Sequence, residues 1–399
     1  MAALACLTAL PVKAQLTYSV NGDSTITITG YSVSPGNPGN LIIPSTMSVI
    51  TGYDIYNQPI YSTLPVTSIG SYAFRDSGLT NVTIPNSVTS IGQSAFLHCD
   101  DLTDVTIGNG VTNIGVMAFD VCPGLTSVVI GNSVMSIGDS AFCGCSGLTN
   151  VMIPDTVISI GPDAFNGCYS LTSVVIGNSV TSIGSSAFGN CDDLMSATIP
   201  NSVTNIGGEA FIYCGNLTNV IIGNGVTSIG GGAFYQCYGL TSVTIPNSVT
   251  SIGFGAFINC YRLTNAFFQA NAPTVDGDAI YGNTVFGAPN SSPGTVNSGT
   301  VYYLPGTSGW GTNFSGWPTA QWYQPQPKII NSSQGTGVQS NGFQFTVGWA
   351  TNTAVVVEAS TNLQSWTPVS TNTLVNGTNY FSDSSYTNFP QRFYRVRSQ

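Results

Sequence analysis

The sequence predicts an all-β repeat solenoid of parallel strands, followed by a small C-terminal β-sandwich. The main observation is a motif, Ile-Gly-x-x-Ala-Phe, that recurs at a fixed step. Its isoleucine is found at positions 69, 91, 114, 137, 160, 183, 206, 229 and 252. The step is 23 residues in every case but the first, which is 22. A fixed period of this length is typical of proteins that stack one short structural unit on the next.

The composition supports strands and turns rather than helices. Only 6% of residues are charged and 42% are hydrophobic, and Ser, Thr, Asn, Gly, Val and Ile replace the residues that favour helices. The net charge is −10, and Arg75 and Arg262 are the only basic residues between Lys13 and Lys328. Nucleic acid is therefore not expected as a partner, because phosphates would find almost no counter-charge.

The first part of the chain contains two expected segments. Residues 1–14 resemble a secretory signal peptide, with a short apolar run and the small residue Ala14 before a cleavage point; a buried first strand is the alternative. Residues 15–65 are expected to form an N-terminal cap, with a hairpin around Asn21-Gly22 and a degenerate repeat strand at 41–43. No stretch is apolar enough for a membrane span, so the chain is expected to be secreted or held at the cell surface.

Residues 66–270 contain the repeats, and each repeat has the same apolar positions. In the Leu-x-x-Val-x-Ile segment, Val105 and Ile107 are two residues apart, which predicts a strand with both side chains on one face. A Pro or Gly ends this strand. A second short extended piece follows, and the Gly of Ile-Gly permits a tight corner. We expect the Ala-Phe pair after this corner to lie inside the coil.

The complete motif is Leu-x-x-Val-x-Ile-Pro-x-x-Val-x-x-Ile-Gly-x-x-Ala-Phe-x-x-Cys. It resembles the BspA-type leucine-rich repeat family, a variant also found in treponemal surface proteins, over residues 66 to 270. The resemblance implies a leucine-rich repeat solenoid with a right-handed, curved parallel sheet. It also implies a secreted or surface protein, and several such proteins attach to host proteins or neighbouring cells. The resemblance brings no catalytic residues.

The repeat pattern ends after Cys260. Residues 271–325 are rich in aromatic side chains and are expected to form a C-terminal cap, and residues 326–342 a linker. Residues 343–399 have short alternating strands and resemble a small fibronectin type III-like β-sandwich. This part also contains three arginines, Arg392, Arg395 and Arg397. They could form a docking or sorting patch, but we favour a solvated strand edge.

Eight of the ten cysteines recur in register with the repeat. An exported chain with an even number of cysteines suggests disulfides. Equivalent cysteines in successive coils would however point in parallel, so we favour a structural column of free, buried thiols. Cys143 is outside this column and is expected to be the most exposed thiol. The column consists of Cys99, Cys122, Cys145, Cys168, Cys191, Cys214, Cys237 and Cys260.

No pattern predicts catalysis, a cofactor or a bound metal. His98 is the only histidine and lies in a corner that varies between repeats, so we expect a surface residue. The pairs Asp100–Asp101 and Asp192–Asp193 do not form a dense set of oxygen ligands, which favours solvated turns over calcium sites. The chain is therefore expected not to be an enzyme.

The outward positions of the Leu-x-x-Val-x-Ile strand are the candidate binding site. Most of them are Ser, Thr or Asn, but some are apolar, and contiguous exposed apolar surface often marks a partner site. The alternative is that β-branched residues there only stabilise the ladder. The candidate residues on this expected concave face are Val129, Met152, Val175, Thr198, Ile221 and Thr244.

The sequence thus predicts a non-enzymatic, exported or cell-surface protein that recognises or adheres to an extracellular protein or glycan. We expect a monomer. One alternative is a structural spacer of an envelope or matrix without a specific ligand. Another is a hydrolase-associated binding module, or an enzyme with its site in residues 271–325.

Overall fold

The computed structural model describes residues 15–32, 39–276, 284–286, 299–322, 328–330, 337–339, 342–349, 354–375 and 378–398. The expected signal peptide, residues 1–14, lies outside this part of the chain. The described residues fall into two compact units. The first unit holds those up to 243, together with 248–264, 274–276 and 284–286. The second unit holds 244–247, 265–273 and the described residues from 299 onwards.

The described residues form strands and turns, with one short 3-10 helix, Tyr386–Asn388. No helix among them is long and apolar enough to cross a membrane. The strands before the repeats are β1 (Gln15–Val20), β2 (Ile26–Ser32), β3 (Asn40–Ile42), β4 (Thr46–Tyr53) and β5 (Pro59–Ile69). The repeats contribute β6 (Asn81–Ile84), β7 (Ser90–Ile91), β8 (Asp104–Ile107), β9 (Asn113–Ile114), β10 (Ser127–Val129), β11 (Ser136–Ile137), β12 (Asn150–Met152), β13 (Ser159–Ile160), β14 (Ser173–Val175), β15 (Ser182–Ile183), β16 (Ser196–Ile199), β17 (Asn205–Ile206), β18 (Asn219–Ile222), β19 (Ser228–Ile229), β20 (Ser242–Ile245) and β21 (Ser251–Gly253). The remaining strands are β22 (Asn265–Phe268), β23 (Thr274–Asp276), β24 (Thr300–Tyr303), β25 (Asn313–Phe314), β26 (Trp317–Gln321), β27 (Lys328–Ile330), β28 (Gly337–Gln339), β29 (Gly342–Gly348), β30 (Ala354–Ser360), β31 (Thr367–Thr373), β32 (Thr378–Asp383) and β33 (Phe393–Ser398).

Each repeat forms one coil with two strands. The Leu-x-x-Val-x-Ile segment gives a face strand of three or four residues, and the residues before the motif glycine give a short strand. Both kinds pair in parallel with their equivalents in the next coil: Val105 with Val128, and Ile137 with Ile160. The short strands belong to one 13-stranded sheet that also contains β1, β2, β4, β5 and β23. The face strands form the ladders β3-β6-β8-β10 and β12-β14-β16-β18. The prediction of an all-β parallel solenoid is confirmed.

A column of phenylalanine rings runs through the coil interiors. The ring of Phe74 stacks on that of Phe96 with the centroids 4.7 Å apart. The same contact recurs from coil to coil as far as Phe257, at up to 5.4 Å, and Phe286 continues it at 5.9 Å. These rings are almost completely buried, and each ring packs on the rings of the coils beside it. Phe286 thus extends the phenylalanine column, although it lies in the segment expected to form the C-terminal cap.

The eight cysteines of the column are buried and donate hydrogen bonds. The Sγ atom of Cys122 lies 3.1 Å from the carbonyl oxygen of Phe96 in the preceding coil. All eight thiols make this contact, at 3.0 to 3.4 Å, and no disulfide joins the cysteines that the structure describes. Burial raises the pKa of the Cys145 and Cys168 thiols, which keeps the donating proton in place. Each cysteine thus fills a small apolar site and also satisfies a backbone acceptor of its neighbour.

The strands before the repeats cover the first coil. β1 and β2 form an antiparallel hairpin, and β2 pairs in parallel with β5, so that Ile28 lies beside Ile69. The ring of Tyr31 lies 5.6 Å from that of Phe74, at the end of the phenylalanine column. β3 pairs in parallel with β6, as a degenerate repeat strand would. The second antiparallel hairpin, β4 and β5, was not expected from the sequence.

An aromatic cluster organises the first part of the second unit. β22, β24 and β26 are parallel neighbours, and β25 pairs antiparallel with β26. The ring of Trp310 lies 5.0 Å from that of Phe268, 5.2 Å from Tyr303 and 5.3 Å from Phe314. Most of these residues belong to the segment expected to form the C-terminal cap.

The last part of the second unit has two small antiparallel sheets. One contains β27, β28, β29 and β32, and the other has the order β31-β30-β33. Phe345, Val347, Val355 and Val357, from both sheets, belong to one buried cluster. Residues 326–342 were expected to be a linker, but β27 and β28 lie there and pair with β29. This difference arises because three-residue segments carry too little sequence pattern to predict a strand, and pairing with β29 defines them.

The three C-terminal arginines are engaged in ion pairs. The Nε atoms of Arg395 and Arg397 lie 2.7 and 2.8 Å from the carboxylate oxygens of Glu358. Arg392 pairs with Asp383 at 3.2 Å. The two arginines beside Glu358 also lower the pKa of its carboxyl group, since they stabilise the charged form. These residues therefore do not form a free basic docking patch. Arg395 and Arg397 lie on β33, at the edge of their sheet.

One left-handed backbone position in each coil directly precedes the cysteine. Gly144 and Gly167 occupy it with φ of 69° and 74°, as glycine easily can. Asn190 and Asn259 have φ of 55° and 61°, and asparagine tolerates this region. Val121 has φ of 53°. A β-branched residue is strained there by roughly 1–2 kcal/mol.

The buried thiols should resist alkylation in the native protein. We expect iodoacetamide, without reductant, to leave the eight cysteines of the column unmodified in buffer and to modify them in denaturant, as mapped by mass spectrometry. Cys143 should react slowly at neutral pH, because burial and the carboxylates of Asp120 and Asp163 raise its thiol pKa to about 11. Column cysteines that react in denaturant only after reduction would show that disulfides join them.

The strain at Val121 should be relieved by Val121→Asn. We expect the free energy of unfolding to rise by about 1 kcal/mol, because asparagine adopts the left-handed conformation at lower cost. Chemical denaturation followed by circular dichroism measures the change. Val116→Asn is the matched control, since Val116 is exposed in the same coil and has no left-handed backbone. An equal gain from both variants would contradict the explanation by strain.

Candidate binding face

The face strands present alternate residues to the solvent. In β8, Val105 and Ile107 are buried while Asp104 and Thr106 are exposed. The same alternation holds in β10, β12, β14, β16 and β18. Successive side chains of a strand point to opposite faces, so each coil contributes two outward positions.

The second outward position forms a row across the coils. Thr106 pairs with Val129, Met152 with Val175, and Thr198 with Ile221. The exposed fractions are 56% for Val129, 70% for Met152, 54% for Val175 and 53% for Ile221. We call these four residues the apolar stripe. The two other candidates, Thr198 and Thr244, are also exposed.

Ile42 is a further apolar residue of this row. It lies on β3, pairs with Thr83 of β6 and is 72% exposed. β3 was expected as a degenerate repeat strand, but Ile42 was not among the candidate outward residues. The spacing of Leu41 and Ile43, which are both buried, was the signal that could have identified it.

Two rows of polar residues precede the apolar stripe along the strands. Ser127, Asn150 and Ser173 are exposed at the first outward position. Threonines form the other row, one residue earlier in every coil except the one with Met195. Their hydroxyls donate to carbonyl oxygens of the preceding coil: Thr126 to Thr103 at 3.2 Å and Thr172 to Thr149 at 3.1 Å. The threonine hydroxyls therefore stabilise the stacking of the coils, whereas the serine and asparagine side chains are accessible to a partner.

The face carries little charge. Among the outward positions of β6, β8, β10, β12, β14, β16, β18 and β20, Asp104 is the only ionisable residue. The side chains at these positions offer apolar surface, hydroxyls and amides. Association with this face would consequently depend on shape, apolar contact and hydrogen bonds rather than on ion pairs.

The other residues considered from the sequence do not assemble into a site for chemistry. His98 is exposed, with a φ of 57°, and Asp100 and Asp101 are exposed beside it. Cys143 is half-buried rather than exposed. Within the part of the chain that the structure describes, no group of three or more His, Cys, Asp or Glu residues is arranged to hold a metal ion.

The stacked parallel coils and the repeated motif define a leucine-rich repeat solenoid. The chain belongs to the BspA type leucine-rich repeat family, whose model matches residues 67–195 and 158–285, more than half of the chain. None of the curated proteins compared with the chain is similar to it in sequence.

Several solved structures are similar to this chain. One is a leucine rich cell surface protein from Faecalibacterium prausnitzii, with 25% identity, 71% of this chain and 96% of that chain covered, and a TM-score of 0.38. Another is a T. pallidum leucine rich repeat protein, with 26% identity, coverage of 62% and 87%, and a TM-score of 0.36. A third is a leucine-rich repeat protein from Bacteroides ovatus, with 22% identity, coverage of 73% and 94%, and a TM-score of 0.32.

Proposed function

We propose that the chain is a non-enzymatic recognition protein whose face strands bind a partner protein through the apolar stripe. The observation that carries the proposal is the row of four aliphatic side chains, each more than half exposed, of which Val129, Met152 and Val175 lie on consecutive coils. Contiguous exposed apolar surface is uncommon in proteins that have no partner. The fold does not require it, because Thr106 and Thr198 occupy the same position in other coils.

Stabilisation of the ladder explains the stripe less well. β-Branched residues such as Val129 and Val175 do favour strands. Met152 is not β-branched, yet it lies between them in the row and is the most exposed member of the stripe. Because the stripe is aliphatic and nearly uncharged, it is complementary to an apolar surface of a partner protein. Binding should therefore depend little on salt.

We also propose that the protein is secreted or held at the cell surface and that its C-terminal sheets form a small fibronectin type III-like sandwich. The signal-like segment at residues 1–14 supports export. The two antiparallel sheets with one shared buried cluster support the sandwich. A structural spacer remains the alternative function. An enzyme in residues 271–325 has less support, because Trp310 and Phe314 pack against each other and against Phe268.

Met152→Glu should abolish partner binding without unfolding the protein. A buried, unpaired carboxylate at the centre of an apolar contact costs several kcal/mol, so we expect affinity to fall at least about a hundredfold. Extracellular proteins immobilised on a biosensor would supply the partner, and binding would be measured from about 0.05 to 0.5 M salt.

Met135→Glu is the matched control for this experiment. Met135 is 50% exposed and lies outside the face strands, so this variant should bind normally. Unchanged binding by Met152→Glu, or equal losses in both variants, would contradict a binding role for the stripe. A wild-type protein that binds no extracellular protein would favour the spacer.

A further inference from the structure

A groove of about 710 Å³ lies beside the repeat cysteines of the later coils. It is lined by residues within four positions of these cysteines, mostly where the repeat motif imposes no residue type. Its volume is within the range of about 300–1,000 Å³ that is usual for ligand sites. We call it the tyrosine groove, and the residues that matter here are Asp192, Tyr213, Asn216, Gln236, Tyr238 and Arg262.

Two exposed tyrosine rings line the groove, and each is held by a second tyrosine. The Tyr213 ring is edge-on to that of Tyr235 at 5.8 Å, and the Tyr238 ring stacks on that of Tyr261 at 5.5 Å. Tyr213 and Tyr238 nevertheless remain 40% and 41% exposed. The Tyr238 ring also packs beside Gly215, where an added Cβ would lie in ordinary van der Waals contact, 3.6 Å from Cδ2 of the ring. The groove therefore presents oriented aromatic surface to the solvent.

The fold does not require a tyrosine at position 213. This is the left-handed position before the cysteine, and Tyr213 has φ of 60° where Gly144 and Gly167 occur in other coils. Gln236 has φ of 59° at the same position in the next coil. Bulky residues in this conformation are strained, and such strain often accompanies a functional site. Val121 is strained in the same way but is not part of this groove. Strain alone therefore does not identify a binding site.

Polar side chains of the groove are held in place by their neighbours. The Nδ2 atom of Asn216 donates to Oδ1 of Asp193 at 3.3 Å, which orients the amide. The hydroxyl of Tyr238 donates to Oε1 of Gln236, which leaves the amide NH₂ of Gln236 as a donor. Arg262 is exposed, and among the residues that the structure describes it forms no ion pair.

We propose that the tyrosine groove binds a neutral oligosaccharide. A sugar ring has an apolar C–H face, which can pack on the exposed face of Tyr213 or Tyr238, and an edge of hydroxyl groups. The amides of Asn216 and Gln236, the Asp192 carboxylate and the Arg262 guanidinium supply donors and acceptors for these hydroxyls.

Other ligand classes fit the groove less well. Among the residues that the structure describes, the lining contains no aliphatic Leu, Ile, Val or Met side chain, whereas a groove that binds an amphipathic helix is hydrophobic. Asp192 and the neighbouring Asp193 balance Arg262, so a polyanion would find no net positive surface. The groove residues are different from those of the apolar stripe, and this inference does not depend on protein binding by the face strands.

Native affinity electrophoresis of the full chain tests the proposal. The probes are neutral soluble polysaccharides (hydroxyethyl cellulose, xylan, galactomannan, soluble starch and β-1,3-glucan), with polygalacturonate as an anionic comparison. We expect at least one neutral polysaccharide to retard the protein. Tyr238→Ala and Tyr213→Asn should each weaken this retardation at least about tenfold, because each removes one aromatic contact with the sugar.

The variants are chosen so that loss of folding cannot be mistaken for loss of binding. Tyr213→Asn introduces the residue that Asn190 and Asn259 already supply at this position, so it should not lower the thermal midpoint. Val121→Asn makes the same kind of change outside the groove and should leave retardation unchanged. Met152→Glu should also bind the polysaccharide normally, which separates this proposal from the one for the stripe.

Several results would overturn the proposal. They are the absence of retardation by every neutral polysaccharide, retardation by polygalacturonate alone, and retardation that Tyr238→Ala and Tyr213→Asn leave intact. Competition by a polyproline peptide in place of any sugar would also overturn it, since that would assign the aromatic groove to a protein ligand.

Discussion

The register between successive coils is the constraint on which the rest of the first unit depends. Phe96 stacks on Phe119, the Cys122 thiol donates to the Phe96 carbonyl, and Thr126 donates to Thr103. Each of these contacts joins one coil to the next, at a fixed offset in sequence. A single coil satisfies none of them internally. Stability is then approximately a sum over neighbouring coils, as in other repeat proteins.

The same register separates positions that stabilise the fold from positions that are free for recognition. Inward positions and the cysteine column are nearly invariant between coils, because an altered side chain would leave a void or a clash in both neighbours. Outward positions are not constrained in this way. Met152 replaces the threonine of other coils, and Tyr213 replaces the glycine at Gly144 and Gly167. Both proposed binding surfaces consist of such departures from the repeat.

Sequence reasoning succeeded where an interaction repeats with the period and failed where it is made once between distant segments. Alternation identified the inward Val105 and the outward Met152 correctly. Phe286 was missed because it follows Phe257 by more than one period, and the β4–β5 hairpin because a cap follows no repeat. The ion pairs of Glu358 join residues that are far apart in the chain. The groove was not predicted, since no sequence pattern shows that Tyr213 and Arg262 line one surface.

Deletion of one coil, residues 101–123, tests most directly whether contacts between coils specify the solenoid. This deletion joins Asp100 to Gly124, which are adjacent repeat positions. Thermal unfolding of this variant, followed by circular dichroism, should remain a single cooperative transition. Its thermal midpoint should fall only by the contribution of one interface between coils. Deletion of residues 101–112 joins unlike positions and should abolish this transition. Loss of cooperative folding in the first variant, or its retention in the second, would contradict the account.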